Sequence, residues 1–132
     1  MYSHIQLGAR DVAQLAAFYD AVLGALGMVR MPVEDDGGPP GEGWHKPGQR
    51  WPQFFVQQPI NGLPATWGNG VQVSFAAGSR AQVDAAWQAA LALGATDEGA
   101  PGLRPQYSPD YYGAYCRDPE GNKLCFVHAD GL

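Results

Sequence analysis

Residues 111–127 read YYGAYCRDPEGNKLCFV, and this stretch has the pattern of a β-hairpin. Two runs rich in aromatic and apolar residues, Tyr111–Arg117 and Asn122–His128, flank a short Asp-Pro-Glu-Gly segment. Pro119 presets φ for a turn, and Gly121 supplies the left-handed conformation that turns require. The sequence therefore predicts that the chain ends in two antiparallel strands.

Two further segments have the apolar periodicity of amphipathic helices, and an alternating strand pattern precedes each of them. The first helix is predicted over Asp11–Leu26, with its first residue as the N-cap, after a strand at His4–Leu7. The second helix is predicted between its cap Ser79 and Gly94, after a strand at Val71–Phe75.

The sequences of the two halves of the chain align with each other at a shift of 68 residues. This shift places His4 on Gln72 and Tyr19 on Trp87, so the strand and the helix agree in a single register. Such agreement indicates an internal duplication. Module one covers about residues 1–60 and module two about residues 70–129.

Glycine and proline are abundant, with 18 and 11 residues among 132, which predicts many turns between short elements and argues against a helical bundle. Further strands are predicted at Met28–Val33 and Gln53–Gln57. The Gly- and Pro-rich segments Glu34–Gly48, Pro59–Gly70 and Gly99–Pro109 are predicted to be loops.

The charge pattern excludes several partners. There are 8 Lys and Arg residues against 13 Asp and Glu, the net charge is −5, and the basic residues are scattered. We therefore expect no nucleic-acid partner and no membrane partner. Because the sequence has no signal peptide and no long apolar run, we expect a cytoplasmic protein whose cysteines are reduced.

The hairpin, the opening strand and the repeated modules together resemble the vicinal oxygen chelate superfamily of glyoxalases, bleomycin resistance proteins and extradiol dioxygenases. The resemblance covers essentially the whole chain, and its most specific part is the Arg-Asp-Pro-Glu-Gly-Asn turn at residues 117–122. It implies an α+β fold in which two βαβββ modules form curved mixed sheets around a central cup, within a single domain over residues 1–132. It also implies a small-molecule ligand in the cup and a homodimer.

The resemblance further implies a metal site, with ligands falling on His4, Gln72 and Cys125. The family pattern more often has His at the second of these positions and Glu at the third. A fourth ligand, of open register, falls among Gln53, Phe54 and Phe55. A neutral amide and a thiol make a poor set for hard cations, so we interpret the site as degenerate, with Zn as the favoured ion if one binds.

The two cysteines allow other interpretations. A simple four-residue turn would place Cys116 diagonal to Cys125 on one face of the hairpin, whereas a bulge would reverse this. Buried, inert thiols are the favoured reading. The alternatives are a redox-active pair and a thiolate nucleophile assisted by His4.

Candidate ligand contacts are aromatic or lie in loops that border the pocket in the family. We expect ligand-binding roles for Phe55, Arg104, Tyr107 and Tyr112. Two acidic groups, at residues 34–36 and 97–98, are expected to lie away from the site. His45 and His128 are expected at the surface.

Three functions follow from these residues. The favoured one is binding of a small aromatic or oxygen-bearing molecule in the cup, beside the degenerate metal site. The second is a metal-dependent lyase, isomerase or dioxygenase similar to lactoylglutathione lyase, which is weakened because the expected carboxylate base is Cys125. The third is a non-catalytic protein that sequesters an antibiotic.

Overall fold

Two successive βαβββ modules make up the computed structural model, which describes residues 1–132. The elements, in chain order, are β1 (His4–Gly8), α1 (Val12–Gly24), β2 (Val29–Met31), β3 (Gly41–His45), β4 (Gln53–Gln57), β5 (Gln72–Ala76), α2 (Arg80–Ala92), β6 (Thr96–Leu103), β7 (Tyr112–Arg117) and β8 (Lys123–His128). The predicted fold is confirmed.

Each module forms its own four-stranded mixed sheet, in the orders β1-β4-β3-β2 and β5-β8-β7-β6. In both sheets the first and last strands of the module pair in parallel, and the other pairs are antiparallel. The identical strand order supports the duplication seen in the sequence. It also leaves β1 and β5 as edge strands.

Both helices begin where the sequence predicts. The Asp11 side chain accepts a hydrogen bond from the Gln14 N–H at 3.0 Å, and the Ser79 hydroxyl accepts one from the Gln82 N–H at 3.2 Å. Such caps satisfy backbone donors that have no partner within the helix. The two helices pack on each other, and one core cluster of 20 buried residues includes side chains from both modules.

The strands divide their side chains between two faces, because successive residues point in opposite directions. In β4, Phe54 and Val56 are buried in the core, while Gln53, Phe55 and Gln57 point the other way and are half-buried. We call the face turned away from the helices the open face of each sheet.

Two strands occupy segments predicted to be loops. β3 lies inside the predicted loop Glu34–Gly48, so His45 is half-buried in a strand instead of solvated, and β6 overlaps the predicted loop Gly99–Pro109. Glycine has a low intrinsic preference for strands. At Gly43, however, an added Cβ would lie 2.6 Å from the ring of its partner Phe55 on β4. The absence of a side chain at this residue therefore lets the Phe55 ring lie over β3.

The terminal hairpin is confirmed, but its turn is wider than predicted. Arg117 pairs with Lys123 and Cys116 pairs with Leu124, so five residues, 118–122, form the connection. The Asp118 carboxylate holds this wider turn by accepting hydrogen bonds from backbone N–H groups within it. Cys116 and Cys125 therefore lie on opposite faces, as the bulged alternative implies, and the diagonal contact of the simple four-residue turn is not formed.

Neither helix has the length and apolar character needed to cross a membrane.

Candidate ligand-binding site

A cavity of about 600 Å³ lies on the open face of the first sheet; we call it the polar cavity. Side chains from β1 and β4 line it, together with Trp51 and the segment that connects β2 to β3. The strand residues are His4, Gln6, Gln53, Phe55 and Gln57. They share this face because His4 pairs with Gln53, and Gln6 with Phe55, across the parallel ladder.

His4 has an aromatic environment. Its Nδ1 lies 2.9 Å from the Ser3 hydroxyl, and its Nε2 has no hydrogen-bond partner in the protein. The ring packs edge-on against Phe55 with the centroids 6.0 Å apart, and it lies 6.4 Å from Trp51. His4 is therefore oriented from one side and keeps one ring nitrogen for a ligand.

Two glutamines present hydrogen-bond acceptors. The Gln53 amide donates to the Arg50 carbonyl, and the Gln57 amide donates to the Pro39 carbonyl, each at 2.9 Å. The amide oxygens of these two side chains accept no hydrogen bond from the protein, so their acceptor capacity is free. The polar cavity can therefore accept hydrogen bonds from a ligand at both positions.

Three carboxylates complete the wall, since Glu34, Asp35 and Asp36 all line the polar cavity. The expectation that these acids lie away from the site is wrong, because the segment between β2 and β3 borders the open face. Asp35 and Asp36 each accept a hydrogen bond from a backbone N–H two residues later, and these bonds shape the segment. No Lys or Arg lines the cavity, so the wall is electronegative.

The open face of the second sheet is filled by its own side chains. Cys125 is fully buried there, with its Sγ 3.5 Å from the Tyr111 hydroxyl, and the Tyr115 hydroxyl donates to that of Tyr111 at 3.3 Å. Burial, followed by the hydrogen bond with Cys125, raises the pKa of Tyr111. Gly113 makes room for the Tyr111 ring, since an added Cβ would lie 2.8 Å from it.

The predicted metal ligands lie on three strands of two sheets. The two cavities that His4 lines contain neither Gln72 nor Cys125, and the Gln72 amide donates to the Ser74 hydroxyl at 2.9 Å. No group of three or more His, Cys, Asp or Glu side chains is arranged to hold a metal ion. With a neutral amide and a covered thiol, the donors of this chain do not fit the implied divalent ion.

The ladder narrows the open register of the fourth predicted ligand position to two residues. Phe54 points into the core, so this position falls on Gln53 or Phe55, and neither is a carboxylate.

The four predicted ligand contacts separate into three places. Phe55 lines the polar cavity. Arg104 and Tyr107 belong to the second sheet's open face, where Arg104 lies over the Tyr115 ring and Tyr107 packs on Tyr111. Tyr112 is on the helix side instead, because it packs against the core cluster and its hydroxyl donates to Asp84 of α2 at 2.7 Å.

Several residues of the polar cavity escaped the sequence analysis. Gln6 and Gln57 could have been predicted, because side chains two residues apart in a strand point to the same face. Gln6 lies two residues after His4, and Gln57 lies two residues after Phe55. Trp51 and the acidic segment had none, since they lie in connections whose direction no local pattern determines. His128, expected at the surface, is half-buried, with Nδ1 2.9 Å from the Ala77 carbonyl.

Comparison with known proteins places these observations in context. The model of the glyoxalase-like domain matches residues 4–127. A glyoxalase/bleomycin resistance protein from Albidiferax ferrireducens T118 is 40% identical, with 98% of each chain covered and a TM-score of 0.81. No curated protein matches the chain.

Two more distant structures share the fold. A glyoxalase/bleomycin resistance protein/dioxygenase family enzyme from Burkholderia phytofirmans PsJN is 22% identical, with 96% of each chain covered and a TM-score of 0.70. A lactoylglutathione lyase from Agrobacterium tumefaciens is 24% identical over 100% of this chain and 97% of its own, with a TM-score of 0.63.

Proposed function

The chain belongs to the glyoxalase-like domain family, and we propose that it is a small-molecule-binding member of that family whose ligand is an organic cation. The ligand binds in the polar cavity, with its charged group towards the acidic segment at residues 34–36 and its planar or apolar part against Phe55.

The observation that carries this proposal is the lining of the polar cavity, which offers acceptors and aromatic faces but no cation. Ammonium and guanidinium groups donate hydrogen bonds to carboxylates and amide oxygens, and they are attracted to the faces of Trp and Phe rings. A carboxylate or phosphate would face three negative charges and no Lys or Arg in the lining, and the Arg50 guanidinium beside the wall is stacked on Trp51, 5.3 Å from the ring centroid. Anionic substrates are therefore disfavoured, and a cationic ligand is favoured.

We also propose that the site works by binding, without the metal-dependent chemistry of the family. A lyase of this superfamily needs a carboxylate that can move a proton, and the ligand positions carry Gln72, Cys125 and either Gln53 or Phe55. The antibiotic-sequestering alternative gains support, because the cationic ligands it requires need an acidic cleft, and the segment at residues 34–36 supplies one.

Isothermal titration with three matched probes tests the cation proposal. We expect benzylammonium to bind, benzyl alcohol to bind more weakly, and benzoate not to bind. Neutralising the wall in the triple variant E34Q/D35N/D36N should lower the benzylammonium affinity by about tenfold, the combined scale of exposed ion pairs. Asp130→Asn, an exposed acid outside the cavity, serves as the matched control. Equal affinity for benzoate, or an unchanged triple variant, would overturn the proposal.

Metal analysis tests the second part independently. Protein treated with a chelator and then dialysed against Zn²⁺ should retain well under one ion per chain. Retention of one Zn per chain that His4→Ala abolishes would show that the site is a metal site after all.

A further inference from the structure

Resting on the proposed function, we infer that the ligand is an amphiphile, whose cationic head occupies the polar cavity and whose apolar tail enters a second cleft between the two modules. We call this second space the module cleft.

The module cleft has a volume of about 370 Å³ and lies where β1 and β4 of module one approach β5 of module two. Its wall includes Ile5, Met28, Phe54, Val73 and Phe75. Lys46 is the one Lys, Arg, Asp or Glu of its lining, and it is exposed. Cavities with this lining favour hydrocarbon, because moving apolar surface out of water is the main source of binding free energy there.

The aromatic wall of the module cleft is part of the packed core. Phe54 and Phe75 meet edge-on with the ring centroids 5.1 Å apart, and Phe75 stacks on Phe126 at 6.3 Å. Phe54 is 2% exposed, so its position is fixed by the core around it. A tail would therefore meet a preformed surface, which lowers the entropic cost of binding.

The module cleft adjoins the polar cavity at two residues. His4 and Gln53 line both spaces, and they are paired neighbours on adjacent parallel strands. A single molecule that passes these two side chains touches an acceptor-rich wall at one end and an apolar wall at the other. This contrast determines the class of ligand, since a small polar cation would leave the module cleft unused.

A series of primary alkylammonium ions tests the inference by calorimetry. From methylammonium through butylammonium to hexylammonium, we expect the affinity to rise about threefold to fourfold for each methylene that enters the module cleft. Hexanol, which has the tail without the charge, should bind much more weakly than hexylammonium. The E34Q/D35N/D36N variant should weaken every ammonium ion by the same factor.

A blocking variant locates the tail. Ala76 is exposed and lines the module cleft, so Ala76→Phe should fill it and flatten the dependence on chain length, while methylammonium binding stays unchanged. Val71→Phe is the matched control, because Val71 is exposed next to the same strand but does not line the module cleft.

The outcomes separate the two proposals. If no ammonium ion binds, both fail. If the head binds and depends on the acidic segment, but the affinity is independent of chain length, the cation proposal stands and the amphiphile inference is overturned. Chain-length dependence that persists in Ala76→Phe also overturns it, because the tail then lies elsewhere.

Discussion

Cys116 and Cys125 are both fully buried, but they lie on opposite faces of one hairpin. Burial, reinforced by the nearby Asp118 carboxylate, raises the pKa of Cys116 to about 12. Cys125 is covered by the Tyr111 hydroxyl. Because thiol chemistry requires both a thiolate and access, neither side chain has the surroundings of a nucleophile.

The first prediction concerns these thiols. In the folded protein at pH 8, an aromatic disulfide reagent followed by absorbance should modify neither cysteine on the time scale of minutes, whereas both should react at once in denaturant. Rapid modification of one thiol per native chain, lost in Cys125→Ser, would instead support the thiolate hypothesis.

A second prediction follows from the raised pKa of Cys116. The unfolded thiol loses its proton near its ordinary pKa of 9.0, while the folded thiol keeps it up to about pH 12. The stabilisation is therefore complete below about pH 9, and it falls as the pH rises towards 12, with a limiting slope of about 1.4 kcal/mol per pH unit for one group. Urea titrations between pH 8 and 10.5 should show this decline.

The control compares the pH profiles of two variants, each of which shortens a fully buried side chain to alanine. Cys116→Ala should make the decline shallower, with the raised pKa values of tyrosines such as Tyr19 and Tyr111 carrying what remains near pH 10 and above. Val83→Ala, at another fully buried position, should instead lower stability by a similar amount at every pH. Parallel pH profiles for both variants would show that another group carries the alkaline sensitivity.

Among the elements, the turn between β7 and β8 stabilises module one as well as its own hairpin. The Glu120 carboxylate accepts hydrogen bonds from the backbone N–H groups of Arg10 and Asp11, at 2.6 and 2.9 Å. The Asp118 carboxylate accepts one from the Tyr19 hydroxyl of α1 at 2.7 Å. The turn thus holds the start of α1, directly after the strand that carries His4.

The third prediction is that Glu120→Gln lowers the free energy of unfolding by about 1–3 kcal/mol, because one of the two backbone donors loses its acceptor at a poorly hydrated position. Glu98→Gln is the control. It removes a 2.6 Å pair with Arg117 that is about one-third exposed, and such pairs contribute below about 1 kcal/mol. Equal losses in urea unfolding would exclude the role of this turn between the modules.

Elements with a local signal could be predicted from the sequence, and elements that depend on their partners could not. The helices carry both a periodic apolar face and a capping residue, so each was found to within a few residues. β3 and β6 are rich in glycine, and their pairing in the sheets overrides that low propensity. The extra residue in the turn after Arg117 came from the Asp118 hydrogen bonds, which no propensity scale contains.

The same division applies to the polar cavity. His4 was predicted from the family resemblance and Phe55 was named as a ligand contact, but the register among Gln53, Phe54 and Phe55 stayed open because it depends on how β4 pairs with β1. The acidic segment at residues 34–36 could not be placed, because its position depends on how β2 and β3 pair. That segment matters most for the proposed function, since its three carboxylates make the polar cavity electronegative.

At the scale of the whole molecule, the modules share one core, although each has its own sheet. The cluster that contains Tyr19 and Phe54 of module one also contains Val83 and Phe126 of module two, and α1 packs on α2. A module alone would expose the inner face of its helix to water. A chain of about 60 residues buries too little apolar surface to tolerate that loss.

We therefore predict that the fragment comprising residues 1–66 does not fold by itself. Its circular dichroism should show no cooperative thermal transition, whereas residues 1–66 and 67–132 produced together should form a complex with the spectrum of the intact chain. Cooperative unfolding of the isolated fragment would mean that the sheet and α1 suffice for stability. The shared core, and with it the module cleft, would then be a docking surface between two independent units.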